Sequence, residues 1–310
     1  MGAPLLFSGV MPETILPFRA DLSIDEPAYR AHLTWLAGQP GVRGIVANGQ
    51  AGEVSSLLRD ERKRSLAMAV EEIGGRLPVI AGVYSDGTAE AVELAREAKA
   101  EGAAGVLVFP PTIFMWGALN KTDMPVRHVA EIAEKADLPI IVFEYPPSTG
   151  IGYKPATLAK LAEIPQVVGV KEWSNDIVTY DGSLRTLRAS GRPVALFSAF
   201  TMALMASFLL GADGAISGLG SVAADLEAEL FTACRAGDLD TAHRLNDRLD
   251  PLVRVFYAPP FVDVHTRIKE ALVLLGRIPA AHVRPPLTPV SDAERGRIRA
   301  ALAASGLVPA

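Results

Sequence analysis

One stretch of the chain reads Val167-Val168-Gly169-Val170-Lys171-Glu172, an apolar run that ends on a lysine. In an extended segment, alternation puts Gly169 and Lys171 on one face and Val168 and Val170 on the other. A lysine in that position, with a glycine leaving room beneath it, has a specific chemical use. Desolvation lowers its pKa, and the neutral amine can attack a ketone to form an imine. A strand-end lysine can also do no more than reach for solvent or a carboxylate. The residue alone does not decide between the two.

Three further segments bear on chemistry. Asn48-Gly49-Gln50-Ala51-Gly52-Glu53 carries two glycines around a tight turn. Such a turn can present successive backbone N–H groups to an anion, a carboxylate above all, or it can be an ordinary connection. Gly218-Leu219-Gly220-Ser221-Val222-Ala223 fits a loose dinucleotide-binding pattern. That use requires a further strand with an acidic residue about 20 positions on. The chain instead reads as helix through 224–254, so a turn at the mouth of a site is the better account. The five histidines, His32, His128, His243, His265 and His282, form no ligand-spaced pair with Cys or Glu, and no metal site is expected. No Gly-x-Ser-x-Gly motif and no Walker loop occurs.

These segments need a scaffold, and the chain repeats one unit: a short apolar strand, a Gly- or Pro-bearing turn, an amphipathic helix. Eight strands are predicted, at Gly9–Ile15, Gly44–Ala47, Pro78–Val83, Gly105–Phe109, Pro139–Phe143, Val167–Lys171, Val194–Ser198 and Gly214–Ser217. Most are continuous apolar runs, as strands covered on both faces should be. Leu58–Ile73, Thr88–Glu101, Met124–Ala136 and Lys154–Glu163 repeat apolar residues at helical spacing. Asp86-Gly87-Thr88 reads as a turn feeding a helix cap. Eight alternations point to a closed α/β barrel, the (β/α)8 TIM barrel, with an open doubly wound sheet as the competing architecture. The barrel is assigned to residues 1–222 and a C-terminal helical extension packed on it to 223–310. Pro285-Pro286 marks a break before the last helix.

Composition excludes several classes. With 49% hydrophobic and 21% charged residues among 310, the chain can bury a large core. A formal charge of −5 argues against nucleic acid or an anionic membrane as partner. The single cysteine, Cys234, permits no internal disulfide. Residues 1–10 lack a basic stretch followed by an apolar core, and the longest apolar run, Ala199–Leu210, is too short to span a bilayer. A cytoplasmic globular protein is expected.

At specific positions the sequence resembles the dihydrodipicolinate synthase / N-acetylneuraminate lyase family of class I aldolases. Gly9-Val10-Met11-Pro12, with Pro17-Phe18, Asp21 and Ile24-Asp25, is similar to the family's first strand and turn. Gly49-Gln50-Ala51-Gly52-Glu53 resembles its Gly-Thr-Thr-Gly-Glu loop, and Val168-Gly169-Val170-Lys171-Glu172 the strand that bears the imine lysine. Gly211-Ala212-Asp213-Gly214-Ala215-Ile216-Ser217 resembles the final strand. The resemblance implies an imine between Lys171 and pyruvate or a longer 2-oxo acid, with the substrate carboxylate on the loop Gly49, Gln50, Ala51. It also implies that Phe143, Ile216 and Ser217 line the site. No cofactor is implied, because the lysine itself supplies the electrophilic centre. A homo-oligomer, dimer or tetramer, is expected.

The departures from the family pattern are as informative. The register that keeps Pro146, Thr149 and Gly150 puts Phe143 where the family has a proton-relaying tyrosine. Tyr145, which shares strand parity with Phe143, or Glu144 is therefore the expected acid–base group. Gln50 and Ala51 replace two loop threonines, the arginine for a second carboxylate expected near Ser148 is absent, and Trp173 follows Lys171-Glu172. These changes make the pocket more apolar and argue against lysine biosynthesis. The expected activity is a Schiff-base lyase acting on a small 2-oxo acid, with an aldehyde as second substrate. The alternatives are a hydro-lyase or deaminase acting on a deoxy-2-oxo sugar acid or a hydroxyproline-derived imine, and a catalytically silent barrel that binds 2-oxo acids.

Overall fold

The computed structural model describes residues 6–307. Eight parallel strands alternate with helices: β1 (Gly9–Val10), β2 (Ile45–Ala47), β3 (Val79–Val83), β4 (Gly105–Val108), β5 (Ile140–Glu144), β6 (Val167–Glu172), β7 (Ala195–Ser198) and β8 (Gly214–Ala215). Their order is β1-β8-β7-β6-β5-β4-β3-β2. Parallel bridges from Val10 to Val42 and from Glu13 to Val46 bring β1 beside β2, so the sheet closes on itself. This is the (β/α)8 barrel. Almost every strand residue is buried, because side chains on one face fill the barrel and those on the other meet the helices.

The first strand is shorter than predicted. Pro12 has no N–H to give to a ladder, so regular pairing stops at Val10. The chain nevertheless stays extended: the Pro12 carbonyl accepts from Val46 N at 2.9 Å, and Glu13 N donates to the Ser217 carbonyl at 3.0 Å. On the opposite side of β1 the backbones press together. A Cβ built on Gly214 would lie 1.9 Å from the Gly9 carbonyl oxygen, so only glycine closes the barrel there.

The helices are α1 (Glu26–Ala37), α2 (Arg59–Ile73), α3 (Thr88–Ala100), α4 (Asp123–Ala136), α5 (Pro155–Glu163), α6 (Ile177–Ala189), α7 (Leu204–Leu210) and α8 (Gly220–Ala236). The expected cap of α3 differs in detail. The helix begins at Thr88 behind Gly87, Ser85 Oγ accepts from Gly87 N, and Asp86 reaches away to accept from Thr112 N in the β4 loop.

The extension consists of α9 (Leu239–Phe256), α10 (Val264–Leu274) and α11 (Asp292–Ala304). It is less continuously helical than predicted. Gly237, at φ 71°, ends α8, and residues 276–291 are irregular. The predicted division at 222/223 falls inside α8, at the non-helical Ala223. The irregular stretch is fastened to the barrel mouth. Lys269 of α10 donates to Glu53 and to the His282 carbonyl, and Arg284 N donates to the other oxygen of Glu53. Among the described residues no helix is long and apolar enough to cross a membrane.

Candidate active site at the mouth of the barrel

Parallel strands end together at one rim, and β6 delivers Lys171 there. Its side chain is 3% exposed, enclosed by the barrel on one side and by α10 on the other. Glycine at 169 keeps the layer below open only as far as Phe197, whose ring would lie 3.0 Å from an added Cβ. Phe143, opposite Lys171 in the β5–β6 register, presents its ring 3.9 Å from Nζ. Burial pulls the amine below the ordinary lysine range, and a neighbouring carboxylate opposes that pull.

The carboxylate belongs to Glu13. Its Oε1 accepts from Lys171 Nζ at 2.6 Å, and its side chain is 4% exposed. Several neighbours hold it. Besides the Ser217 carbonyl on its N–H, Ser221 Oγ donates to the Glu13 carbonyl at 2.6 Å and accepts from Ile15 N at 3.2 Å. The Gly218–Ser221 turn thus lies at the site and pins the residue that faces the lysine. Gly49 makes room for the carboxylate, since a Cβ there would come within 2.6 Å of Glu13 Cδ and Oε1.

The cleft around this pair is narrow, with a cavity volume of about 50 Å³. The expected residues Gln50, Ala51, Phe143, Ile216 and Ser217 all line it with Lys171, while Gly49 lies behind Glu13. Asn48 and Glu53 bracket the β2 loop at φ 55° and 58°, so a left-handed residue stands on each side of the turn. Among the described residues, the backbone N–H groups of Gln50 and Ala51 have no hydrogen-bond acceptor. Two unpaired donors beside a lysine suit a carboxylate. Ser217 Oγ donates to Glu227 at 2.6 Å, and burial raises that carboxyl to about 8.

Glu144 is placed differently from the expectation. Glu144 pairs in register with Glu172 on the face of β5 and β6 opposite Phe143 and Lys171, so it points out of the barrel. There both of its carboxyl oxygens lack partners, and burial, reinforced by the charge of Glu172, raises it well above the usual carboxylate range. Strand alternation is the reason: the residue after an inward Phe143 must face outward. Tyr145 keeps the strand parity of Phe143, with its ring 4.5 Å from that of Phe143 and 5.3 Å from that of Trp173, two residues that line the cleft. Burial, with the charge of Glu13 second, raises its hydroxyl.

The extension adds a wall that the sequence reading missed. Tyr257, Phe261, Val264, His265 and Ile268 line the cleft, and Trp173 stacks on Phe261 at 5.3 Å. Val264, His265 and Ile268 share a face of α10, whereas Tyr257 closes α9 and Phe261 sits in the turn between the two helices, so only folding shows that they meet over one cleft. Burial lowers His265, whose Nδ1 has no partner. Glu13 left a clearer signal, since a carboxylate inside an apolar strand must find a cation when buried. Among the described residues no three His, Cys, Asp or Glu side chains converge to hold a metal ion.

Comparison with known proteins agrees with this architecture. The profile of the dihydrodipicolinate synthetase family matches residues 6–305. The chain is 33% identical over 306 residues to the 4-hydroxy-tetrahydrodipicolinate synthase of Nitratidesulfovibrio vulgaris, covering 97% of this chain and 99% of that one. It is 34% identical over 305 residues to the same-named enzyme of Acidiphilium cryptum, covering 98% and 100%. Among solved structures it superposes with a TM-score of 0.88 on the chloride-inhibited dihydrodipicolinate synthase of Acinetobacter baumannii complexed with pyruvate, at 28% identity over 97% of this chain and 99% of that one. YagE of E. coli K12, a prophage protein of the dihydrodipicolinic acid synthase family in complex with pyruvate, superposes equally well at the same identity and coverage. With the family profile spanning the barrel and its extension, and relatives above 30% identity along nearly the full length, this chain belongs to the dihydrodipicolinate synthetase family.

Proposed function

We propose that this protein is a Schiff-base lyase of the class I aldolase type, acting on a small 2-oxo acid. The observation that carries the reading is Lys171, a buried amine at the rim of β6 that opens into a cleft with unpaired N–H donors at Gln50 and Ala51. The amine attacks the ketone, the two N–H groups receive the substrate carboxylate, and the resulting iminium withdraws electrons from the adjacent carbon. Pyruvate complexes of two structural relatives support the choice of 2-oxo acid.

The second substrate follows from the outer wall. Among the described residues Lys171 is the one lysine or arginine lining the cleft, and Glu13 already pairs with it. A partner bearing a second carboxylate would find no cation. Phe143, Trp173, Phe261 and Tyr257 offer aromatic surface instead, which suits an apolar aldehyde. This favours carbon–carbon bond cleavage or formation with such an aldehyde over the lysine-biosynthetic reaction after which the curated relatives are named. A homo-oligomer is part of the proposal. Met115 and Trp116, 50% and 87% exposed after β4, present apolar surface to a second copy.

The test is reductive trapping. The protein is incubated with pyruvate and then with larger 2-oxo acids, reduced with borohydride, and the added mass located by peptide mass spectrometry. An adduct on Lys171 is expected. A folded protein that yields none with any of these acids overturns the lyase reading and leaves a silent barrel.

A further inference from the structure

We propose that Glu13 is the acid–base catalyst of this barrel, taking the place of the hydroxyl that Phe143 lacks; the inference rests on the Schiff-base reading of Lys171. Three observations converge. Glu13 Oε1 is 2.6 Å from the Nζ that reacts, closer than any other polar side-chain atom bonded to that amine among the described residues. Its backbone is anchored by Ser217 and Ser221, and its carboxylate rests against Gly49. It lines the cleft and bonds the amine directly, whereas Glu144 faces outward and the ring of Tyr145 packs on Phe143.

The proton balance works with this one carboxylate. Within the pair, a proton moves from the Lys171 ammonium to Glu13, leaving an amine and a carboxylic acid. Nζ attacks the ketone carbon, the carbon–oxygen π pair moves to oxygen, and that oxygen takes the proton from Glu13. The Glu13 carboxylate then removes a proton from the new cationic nitrogen. It returns that proton to the carbinolamine hydroxyl, the carbon–oxygen bond breaks, water leaves, and the nitrogen lone pair closes the iminium. One ammonium and one ketone become one iminium and one water, and Glu13 ends as the carboxylate it was. It then lies against the iminium, in position to remove a proton from the adjacent carbon and form the enamine.

Glu13 faces several other ionisable groups. Lys171 bonds to it directly, and its charge bears on Tyr145 beside Phe143, on Tyr257 across the cleft and on His265 of α10. A pH profile is therefore read as a difference between variants. The experiment measures the rate of borohydride-trapped adduct formation on Lys171 from pH 5 to 9 in the wild type, Glu13→Gln, Glu13→Asp and Tyr145→Phe. A general acid–base group contributes about 100- to 10,000-fold, so Glu13→Gln is expected to slow trapping at least about 100-fold across that range. Glu13→Asp is expected to recover part of the loss, and Glu13→Ala to be accelerated by added formate, which replaces the carboxylate.

A mere counter-ion predicts the opposite sign. Removing it would leave Lys171 neutral down to lower pH, and Glu13→Gln would trap as fast as the wild type or faster near neutrality. That result, or a loss in Tyr145→Phe with none in Glu13→Gln, overturns the proposal while leaving the lyase reading intact. If Glu13→Gln fails to fold, the Glu13→Asp rate and the formate response of Glu13→Ala decide: no loss in the first, or no response in the second, overturns it. A wild type that traps no 2-oxo acid overturns both readings together.

Discussion

Replacing Lys171 with methionine removes one member of a buried ion pair and leaves Glu13, 3% exposed, without its cation. Breaking such a pair one-sidedly costs about 3–5 kcal/mol. The structure supplies an independent ceiling. A carboxylate stranded in an apolar site can take up a proton instead. For a glutamate that titrates near about 4.3 in water, holding the proton costs about 5 kcal/mol at pH 8 but only about 1.6 kcal/mol at pH 5.5. The unfolding entropy of a 310-residue chain, at about 2.1 cal/mol/K per residue, is near 0.65 kcal/mol/K, so each kcal/mol moves Tm by about 1.5 °C. Lys171→Met is therefore expected to melt about 5–8 °C below the wild type at pH 8 and no more than about 2.5 °C below it at pH 5.5. The double variant Lys171→Met/Glu13→Gln, which strands no charge, is expected within about 1 kcal/mol of the wild type at both values. Thermal unfolding followed by circular dichroism measures all of this. An equal loss at the two pH values, or no loss at pH 8, would refute the claim that Glu13 is held as a desolvated anion by Lys171.

Two further outcomes follow from the same site. Gly49→Ala places a Cβ 2.4 Å from Glu13 Cγ, so the carboxylate must move and its bond to Nζ lengthens. A loss of about 1.5–3 kcal/mol is expected, as for a charge-assisted hydrogen bond, and a Gly49→Ala/Glu13→Asp double variant that is not less impaired than the sum would count against this geometry. Glu227 has its carboxyl raised by burial from 4.5 to about 8, so the folded state prefers it protonated. Its stabilising contribution is complete below pH 4.5 and is lost as pH rises through 8. Glu227→Gln, which cannot ionise, is thus expected to gain up to about 4 kcal/mol over the wild type between pH 5 and pH 8. A Tm difference independent of pH would contradict it.

What the sequence alone determined was the part of this protein that depends on local periodicity. Eight apolar runs with helices between them specify strands covered on both faces, and such strands have few closed arrangements open to them. Lys171 could be singled out because alternation along one strand fixes its face, and because a lysine ending an apolar run is chemically unusual. The same alternation, applied to β5, would have turned Glu144 outward once Phe143 was placed inside. The tertiary structure alone decided what meets across the barrel. Glu13 and Lys171 lie 158 residues apart, and their pairing depends on β1 closing against β8 and β2, with Ser217 and Ser221 fastening one side. Likewise Tyr257, Phe261 and His265 belong to the end of α9, the following turn and α10, and their meeting as a wall of the cleft depends on where the extension docks. That docking is set in part by Lys269 and Arg284 converging on Glu53. Local propensity acts over a few residues, whereas a buried charge is satisfied only by whichever distant group the closed fold brings to it.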